Sequence, residues 1–149
     1  MADRHYNRQS IGADNFVPPG RCLVLKRPQA FWVTSWPFAE YVKHAWAGAW
    51  VCSAFRDESP HPKDVLPSEL IRGAVAATIA HWTPPPLGMI TFVDASKTKR
   101  KRDPGRCFRK AGFVEVGRTK VHGLIALQLR PEDMPPMAPA TGTQEILAL

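Results

Sequence analysis

Long apolar runs are missing from this 149-residue chain. No stretch approaches the roughly 20 residues that span a bilayer as a helix, so neither a membrane span nor a membrane partner is expected. The first ten residues, Met1–Ser10, are polar and carry no apolar signal-peptide core, so secretion is not expected either. Cysteine is sparse. Cys22, Cys52 and Cys107 are widely spaced and odd in number. They form neither a disulfide framework nor a CxxC zinc pair, and a reducing cytoplasm is the simplest setting. The five histidines, His5, His44, His61, His81 and His122, show no HxxxH or HxH spacing, so no metal site is written locally in the sequence. No internal repeat is present.

Acid is scarce in one place. Between Lys97 and Lys120 lie ten basic residues, among them Lys97, Lys99, Arg100, Lys101, Arg102 and Arg106, against Asp103 and Glu115 alone. That surplus of eight exceeds the net charge of +7, so the rest of the chain is close to neutral. A field confined in this way attracts phosphates and gives salt-dependent binding. The bland alternative is a solvated basic loop. The run interrupts a folded core and is not a tail, which favours nucleic acid.

With 44% hydrophobic and 22% charged residues, the chain has the composition of one globular domain large enough to bury a core. Strands are expected at Arg21–Lys26, Ala30–Trp36, Trp50–Phe55, Met89–Val93, Val114–Gly117 and Leu124–Leu129. Pro37–Ala47 reads as a short helix or an inserted loop. The clearest helix carries Leu70, Ile71, Ala74, Val75, Thr78, Ile79 and Trp82 on one stripe at the helical period. Pro67 suits its first turn, Ser68 caps it if the start slips one residue, and Pro84–Pro86 ends it. A shorter helix is expected over Pro104–Ala111, with Gly112 as its stop. From Pro131 onward Pro, Met, Ala and Thr dominate, so the tail 131–149 is expected to be loose. The order strand, strand, strand, helix, strand, helix, strand, strand is that of an α+β (mixed α/β) sheet domain over residues 1–130, with 1–20 packing on it.

That order, with Cys107-Phe108-Arg109-Lys110-Ala111-Gly112-Phe113 before the last two strands, resembles the GNAT acyltransferase fold, a largely antiparallel sheet flanked by helices. The likeness covers roughly Arg21–Arg130. GNAT acetyltransferases usually place a glycine-rich loop before the long helix to cradle the pyrophosphate of acyl-CoA. Here residues Arg56–Ser68 contain no glycine but include Pro60, Pro62 and Pro67, which lack N–H donors. Acyl-CoA is therefore disfavoured. The chain also resembles the Mom family of phage-encoded DNA adenine-modification proteins. The matching segments are His5-Tyr6-Asn7, Leu66-Pro67-Ser68-Glu69, Phe92-Val93-Asp94 and Pro104-Gly105-Arg106-Cys107-Phe108. Asn7 stands where the family has Ser, and Phe92 where Tyr is frequent. This resemblance implies carbamoylmethylation of the exocyclic amine of adenine, an anti-restriction role in the host cytoplasm, and dependence on an unusual cofactor, with iron suggested. The implied partner is double-stranded DNA, and a homodimer is compatible with it.

Several residues then become candidates. Asp94, at a strand end beside the basic run, can accept a proton from a nucleobase amine or cap the next turn. Ser68 can bond a cofactor at the helix N-terminus or act as a plain cap. His5 offers a general base or metal ligand, and Tyr6 a stacking surface. Trp36, Tyr41, His44 and Trp46 form an aromatic group around Pro37, able to stack a displaced base or to pack a core. Arg56 and Asp57 sit where substrate polar edges would bind, or pair on the surface. Phe108 is added on the substrate side. A metal site assembled by the fold would draw on His5, Asp57 or Asp94. Cys107 lies among Arg and Lys, which lowers a thiol pKa, or it is simply packed. The leading expectation is a DNA-modifying transferase. The alternatives are a conventional acyltransferase acting on a protein or small-molecule amine, and a non-catalytic DNA-binding module.

Overall fold

The computed structural model describes residues 20–60, 62–63, 65–95, 105–120, 122–140 and 145–148. His5, Tyr6, Lys97, Lys99, Arg100, Lys101 and Arg102 lie outside the described residues.

The chain begins with a hairpin of β1 (Gly20–Arg27) and β2 (Ala30–Pro37). The two strands pair antiparallel from Gly20↔Pro37 to Arg27↔Ala30. Pro28 presets the first turn position, and Gln29 takes the second with a φ of 64°, a left-handed conformation uncommon outside glycine. β3 (Trp50–Asp57) adds antiparallel to β2, with a register shift between Val33 and Thr34 that leaves Ser53 as the extra residue. Then comes α1 (Pro67–His81), which carries the chain to β4 (Met89–Val93), parallel to β3. A five-residue helix, α2 (Arg106–Lys110), precedes the hairpin of β5 (Val114–Arg118) and β6 (Ile125–Leu129). β7 (Glu145–Ala148) closes the far edge against β1. The result is a mixed α+β domain with a seven-stranded, mostly antiparallel sheet in the order β5-β6-β4-β3-β2-β1-β7.

The expected helical stripe is the buried one. Ile71 and Val75 are fully buried, with Ala74 and Thr78, against Leu25, Trp32, Trp50, Met89, Leu127 and Leu129 of the sheet. Each large aliphatic buried this way contributes about 1.5–3 kcal/mol. The opposite sheet face buries Val24, Phe31 and Val33 near one edge, and Ala49, Ile90 and Ala126 further across.

Two expectations change and one open reading is settled. Leu66 is the N-cap of α1 and Pro67 its first residue, so Ser68 sits inside the first turn and does not cap. The cap position is held by Glu69, whose Oε1 accepts the Leu66 N–H at 3.1 Å. Pro37–Ala47 resolves into a 3-10 turn over Ala39–Tyr41 followed by turns. The segment after Pro131 is not loose where it is described. Pro131–Asp133 forms a 3-10 turn, Met134 packs on the main core, and the Ala138 N–H bonds Ala76 O at 3.1 Å. Its small residues let the backbone lie against the alanine-rich side of α1, and they gave no periodic signal of their own.

Candidate functional site

The parallel strands β3 and β4 pair only at Trp50↔Met89 and Val51↔Ile90. Beyond that point one side-chain bond joins them, from Thr91 Oγ1 to Cys52 O at 3.3 Å. The carboxyl ends of the two strands then diverge. Asp57 closes β3 and Asp94 follows β4. α1 runs back against the strands, so its N-terminus, with Ser68, lies at this same end of the sheet. The tip of the β1–β2 hairpin is there too, because Ala30 pairs with Asp57 and the Glu58 N–H bonds Gln29 O at 2.7 Å.

Aromatic rings fill the helix side of this end. Trp32 lies 5.8 Å from Phe55 and 6.4 Å from Phe108, ring centroid to centroid. Phe108 also meets Phe55 at 6.1 Å and Phe113 at 5.4 Å, both edge to face, a favoured geometry for aromatic pairs. A one-way relay fixes the Trp32 ring. Its Nε1–H donates to Thr34 Oγ1 at 2.6 Å, and Thr78 donates its hydroxyl to Ala74 O at 2.8 Å. Thr78 has thus used its proton, so Thr34 is the donor in the 3.2 Å contact between the two hydroxyls.

Phe108 reaches this wall because α2 starts tightly against β4. Gly105, its N-cap, has a φ of 76°. A Cβ there would come within 2.8 Å of Leu127 Cδ1 and 3.2 Å of Val93 Cγ2, and the left-handed φ strains any larger residue, so glycine is favoured. Arg106 follows, exposed. The first half of the basic run, Lys97–Arg102, therefore falls in the chain between Asp94, after β4, and Gly105, against Val93. Asp94 itself is half-buried.

Asp57 is committed within its own loop. Oδ1 accepts the Ser59 N–H at 3.0 Å and the Ser59 hydroxyl, and Oδ2 faces Lys63 Nζ at 3.3 Å. Lys63 also donates to Ser59 O at 2.8 Å. Burial by itself would raise this carboxyl; the Ser59 hydroxyl and N–H together with Lys63 outweigh it and hold Asp57 below the usual carboxylate range. Arg56 is exposed and pairs with Glu58 at 3.5 Å, a surface contact of small energetic weight.

The aromatic group expected around Pro37 is divided. Trp36 stacks on Trp50 (5.8 Å) and Trp82 (5.5 Å) under the helix, and its N–H bonds Gly48 O at 3.2 Å. It packs at the end of the sheet opposite Asp94. Tyr41 is 55% exposed in the adjoining loop. His44 and Trp46 cross to the other sheet face and pack on Phe92 at 5.1 and 6.1 Å. His44 Nδ1 accepts the Trp46 N–H at 3.0 Å, and burial lowers its pKa. A strand reverses side with each residue, so the loop after Pro37 separates rings that are neighbours in sequence.

Cys107 is half-buried against the main core, and Cys52 is buried with its thiol pushed up by desolvation. Among the described residues, no group of three or more His, Cys, Asp or Glu side chains gathers to hold a metal. Of the candidate ligands, Asp57 is engaged by Lys63 and His5 lies outside the described residues. No helix among the described residues is long and apolar enough to cross a membrane.

Ser59, Lys63, Trp32 and Phe55 belong to this end of the fold and were not singled out by sequence. The Asp-x-Ser spacing of Asp57 and Ser59 is a local turn signal, and Trp32 shares the inward parity of Thr34. Comparison with protein-family models, with characterised proteins and with solved structures finds no match to this chain.

Proposed function

We propose that this chain is a DNA-modifying transferase of GNAT-like fold, acting on the exocyclic amine of adenine in DNA by a carbamoylmethylation-type reaction. The observation that carries the reading is the anchoring of the basic run. Its first half, Lys97–Arg102, is bounded in the chain by Asp94 and Gly105, both at the carboxyl end of the parting strands β3 and β4. Ligands of sheets with parallel strands bind outside the carboxyl ends of those strands. A phosphate-attracting segment anchored at that position suits a polymeric anion better than a small neutral substrate.

The strand order supports the same reading. An antiparallel β1–β3 block, a helical crossover to a parallel β4, and a β5–β6 hairpin inserted so that β6 pairs with β4 is the arrangement expected of a GNAT-like fold. Within it Asp94 is the proton acceptor for the adenine amine as that nitrogen becomes a nucleophile. The aromatic wall of Trp32, Phe55 and Phe108 shields this end of the core from water.

Nucleoside mass spectrometry of DNA from cells expressing the protein tests the proposal. A mass increase on deoxyadenosine is expected, lost in Asp94→Asn while DNA binding persists. An unmodified nucleoside profile with folded protein present rejects it. Binding without modification would instead identify a non-catalytic DNA-binding module.

A further inference from the structure

From Gly105 to Arg130 the chain carries one carboxylate, Glu115, against Arg106, Arg109, Lys110, Arg118, Lys120 and Arg130. Arg109 takes that carboxylate in an ion pair at 3.1 Å. Among the described residues, no ion pair forms to Arg106, Lys110, Arg118 or Lys120. All four are exposed.

The sheet register places them. Arg118 pairs with Ile125, and Ile125 pairs with Val93. Arg118 is therefore level with the last residue of β4 and two strands across from it, roughly 10 Å at ~4.8 Å per strand. Ile125 belongs to the core beneath α1, and directly opposed residues share a face, so Arg118 is on the helix-bearing face. The turn that follows carries Lys120 past the same end of the sheet as Asp94. α2 begins at this end too, because Gly105 lies against Val93 and Leu127. Arg106 and Lys110, four residues apart, share one side of it. Cations from α2 and from the β5–β6 turn thus stand together beside the end of β4.

The turn is also held in shape before anything binds. The Thr119 N–H donates to Leu124 O at 2.9 Å, the Gly123 N–H to Thr119 O at 3.1 Å, and the Leu124 N–H to Thr119 Oγ1 at 3.0 Å. Arg118 Nη1 donates to Gly123 O at 3.3 Å. A guanidinium has five N–H donors, so this bond positions the group without exhausting it. A preformed turn loses little freedom on binding.

We propose that Arg118 and Lys120 on the β5–β6 turn, with Arg106 and Lys110 on α2, hold the phosphate backbone of double-stranded DNA beside Asp94. Such contacts fix the register and orientation of a duplex. A single small anion would meet one or two of these cations, whereas a row of phosphates meets them all. The inference rests on the reading that DNA is the substrate, and it adds which surface holds the duplex.

The test is the affinity of the full chain for a short DNA duplex over a series of salt concentrations. In Arg118→Gln/Lys120→Gln the slope of log affinity against log salt is expected to fall by about 1.8, at about 0.9 per phosphate contact. In Lys120→Gln alone it is expected to fall by about 0.9. Among the described residues the Lys120 side chain bonds nothing, so this variant leaves the turn intact. Arg130 follows Leu129, which pairs with Met89 at the opposite end of β4. Arg130→Gln removes an equal charge there and is expected to leave the slope unchanged. An unchanged slope in both turn variants, or an equal fall in Arg130→Gln, overturns the surface assignment and leaves the DNA reading standing. No binding of the duplex at any salt concentration overturns both.

Discussion

Arg72 Nη1 donates to the carbonyl of Ala111 at 2.6 Å, tying the second turn of α1 to the end of α2. Ala111 is fully buried, so its oxygen depends on that guanidinium. A hydrogen bond to a charged group is worth about 1.5–3 kcal/mol. Arg72→Ala should lose about that much stability in urea denaturation. Because α2 carries Phe108, the variant should also loosen the aromatic wall. A loss below about 0.5 kcal/mol would show that water replaces the guanidinium without penalty.

Two glycines should respond in opposite directions. Gly73 is exposed on α1, and nothing lies within 4 Å of where its Cβ would stand. Gly73→Ala should stabilise the protein by about 0.5–1 kcal/mol, since glycine is unfavourable inside a helix. Gly88 has a φ of 68°, and its Cβ would lie 2.1 Å from Leu129 O, which is backbone and cannot swing aside. Its own carbonyl also receives the Trp50 N–H at 2.9 Å. Gly88→Ala should cost more than about 2 kcal/mol or prevent folding. Thermal melts of the two variants beside the parent check both signs.

Acid should weaken the fold in two separate windows. His44 has a folded pKa below its ordinary value because burial disfavours the imidazolium. The unfolded chain therefore binds the proton first. The contribution is present above about pH 6.5 and declines as pH falls through that value. Asp57 is likewise depressed in the fold. Its contribution is present above about pH 4 and is lost as pH falls toward the folded value. His44→Gln should flatten the upper window alone, and Asp57→Asn the lower one alone. Stability measured at a series of pH values separates them; a His44→Gln profile parallel to the parent between pH 7.5 and 5.5 would reject the first assignment.

Acetyl-CoA should not bind. The start of α1 is occupied from within, by Glu69 on the Leu66 N–H, by the Glu69 and Leu70 N–H groups on Leu66 O, and by Pro67, which has no donor. A carboxylate already stands where a pyrophosphate would need positive potential. Titration calorimetry with acetyl-CoA should give no heat of binding. Micromolar affinity would restore a conventional acyltransferase reading.

The strands and α1 were legible in the sequence because periodicity reports which side of an element is buried. Ile71, Ala74, Val75 and Thr78 read directly as the face turned to the sheet. The fate of Trp36, Tyr41 and Trp46 was not legible. Which face each ring takes depends on how the chain turns after Pro37, and their types carry no sign of it. The packed segment after Pro131 was missed for the opposite reason. It holds its place through a backbone bond to Ala76 and one methionine, neither of which leaves a pattern. At the candidate site, the glycine-free approach to α1 was readable. The engagement of Asp57 by Lys63 was not, because a pairing six residues apart across an irregular loop has no period.

The two-pair contact between β3 and β4 also governs how the sheet responds to force. On one side β7, β1, β2 and β3 form a block laced by antiparallel ladders, and on the other β4, β6 and β5 form a second. Between them, among the described residues, the backbone pairs are Trp50↔Met89 and Val51↔Ile90, and the rest of the join is side-chain: the Thr91–Cys52 bond, the rings and aliphatics beneath α1, and His44 and Trp46 against Phe92 on the other face. Elastic compliance is thus concentrated in a single seam. Strain across the sheet should therefore open the end that carries Asp57 and Asp94 first, while the ladders inside each block hold.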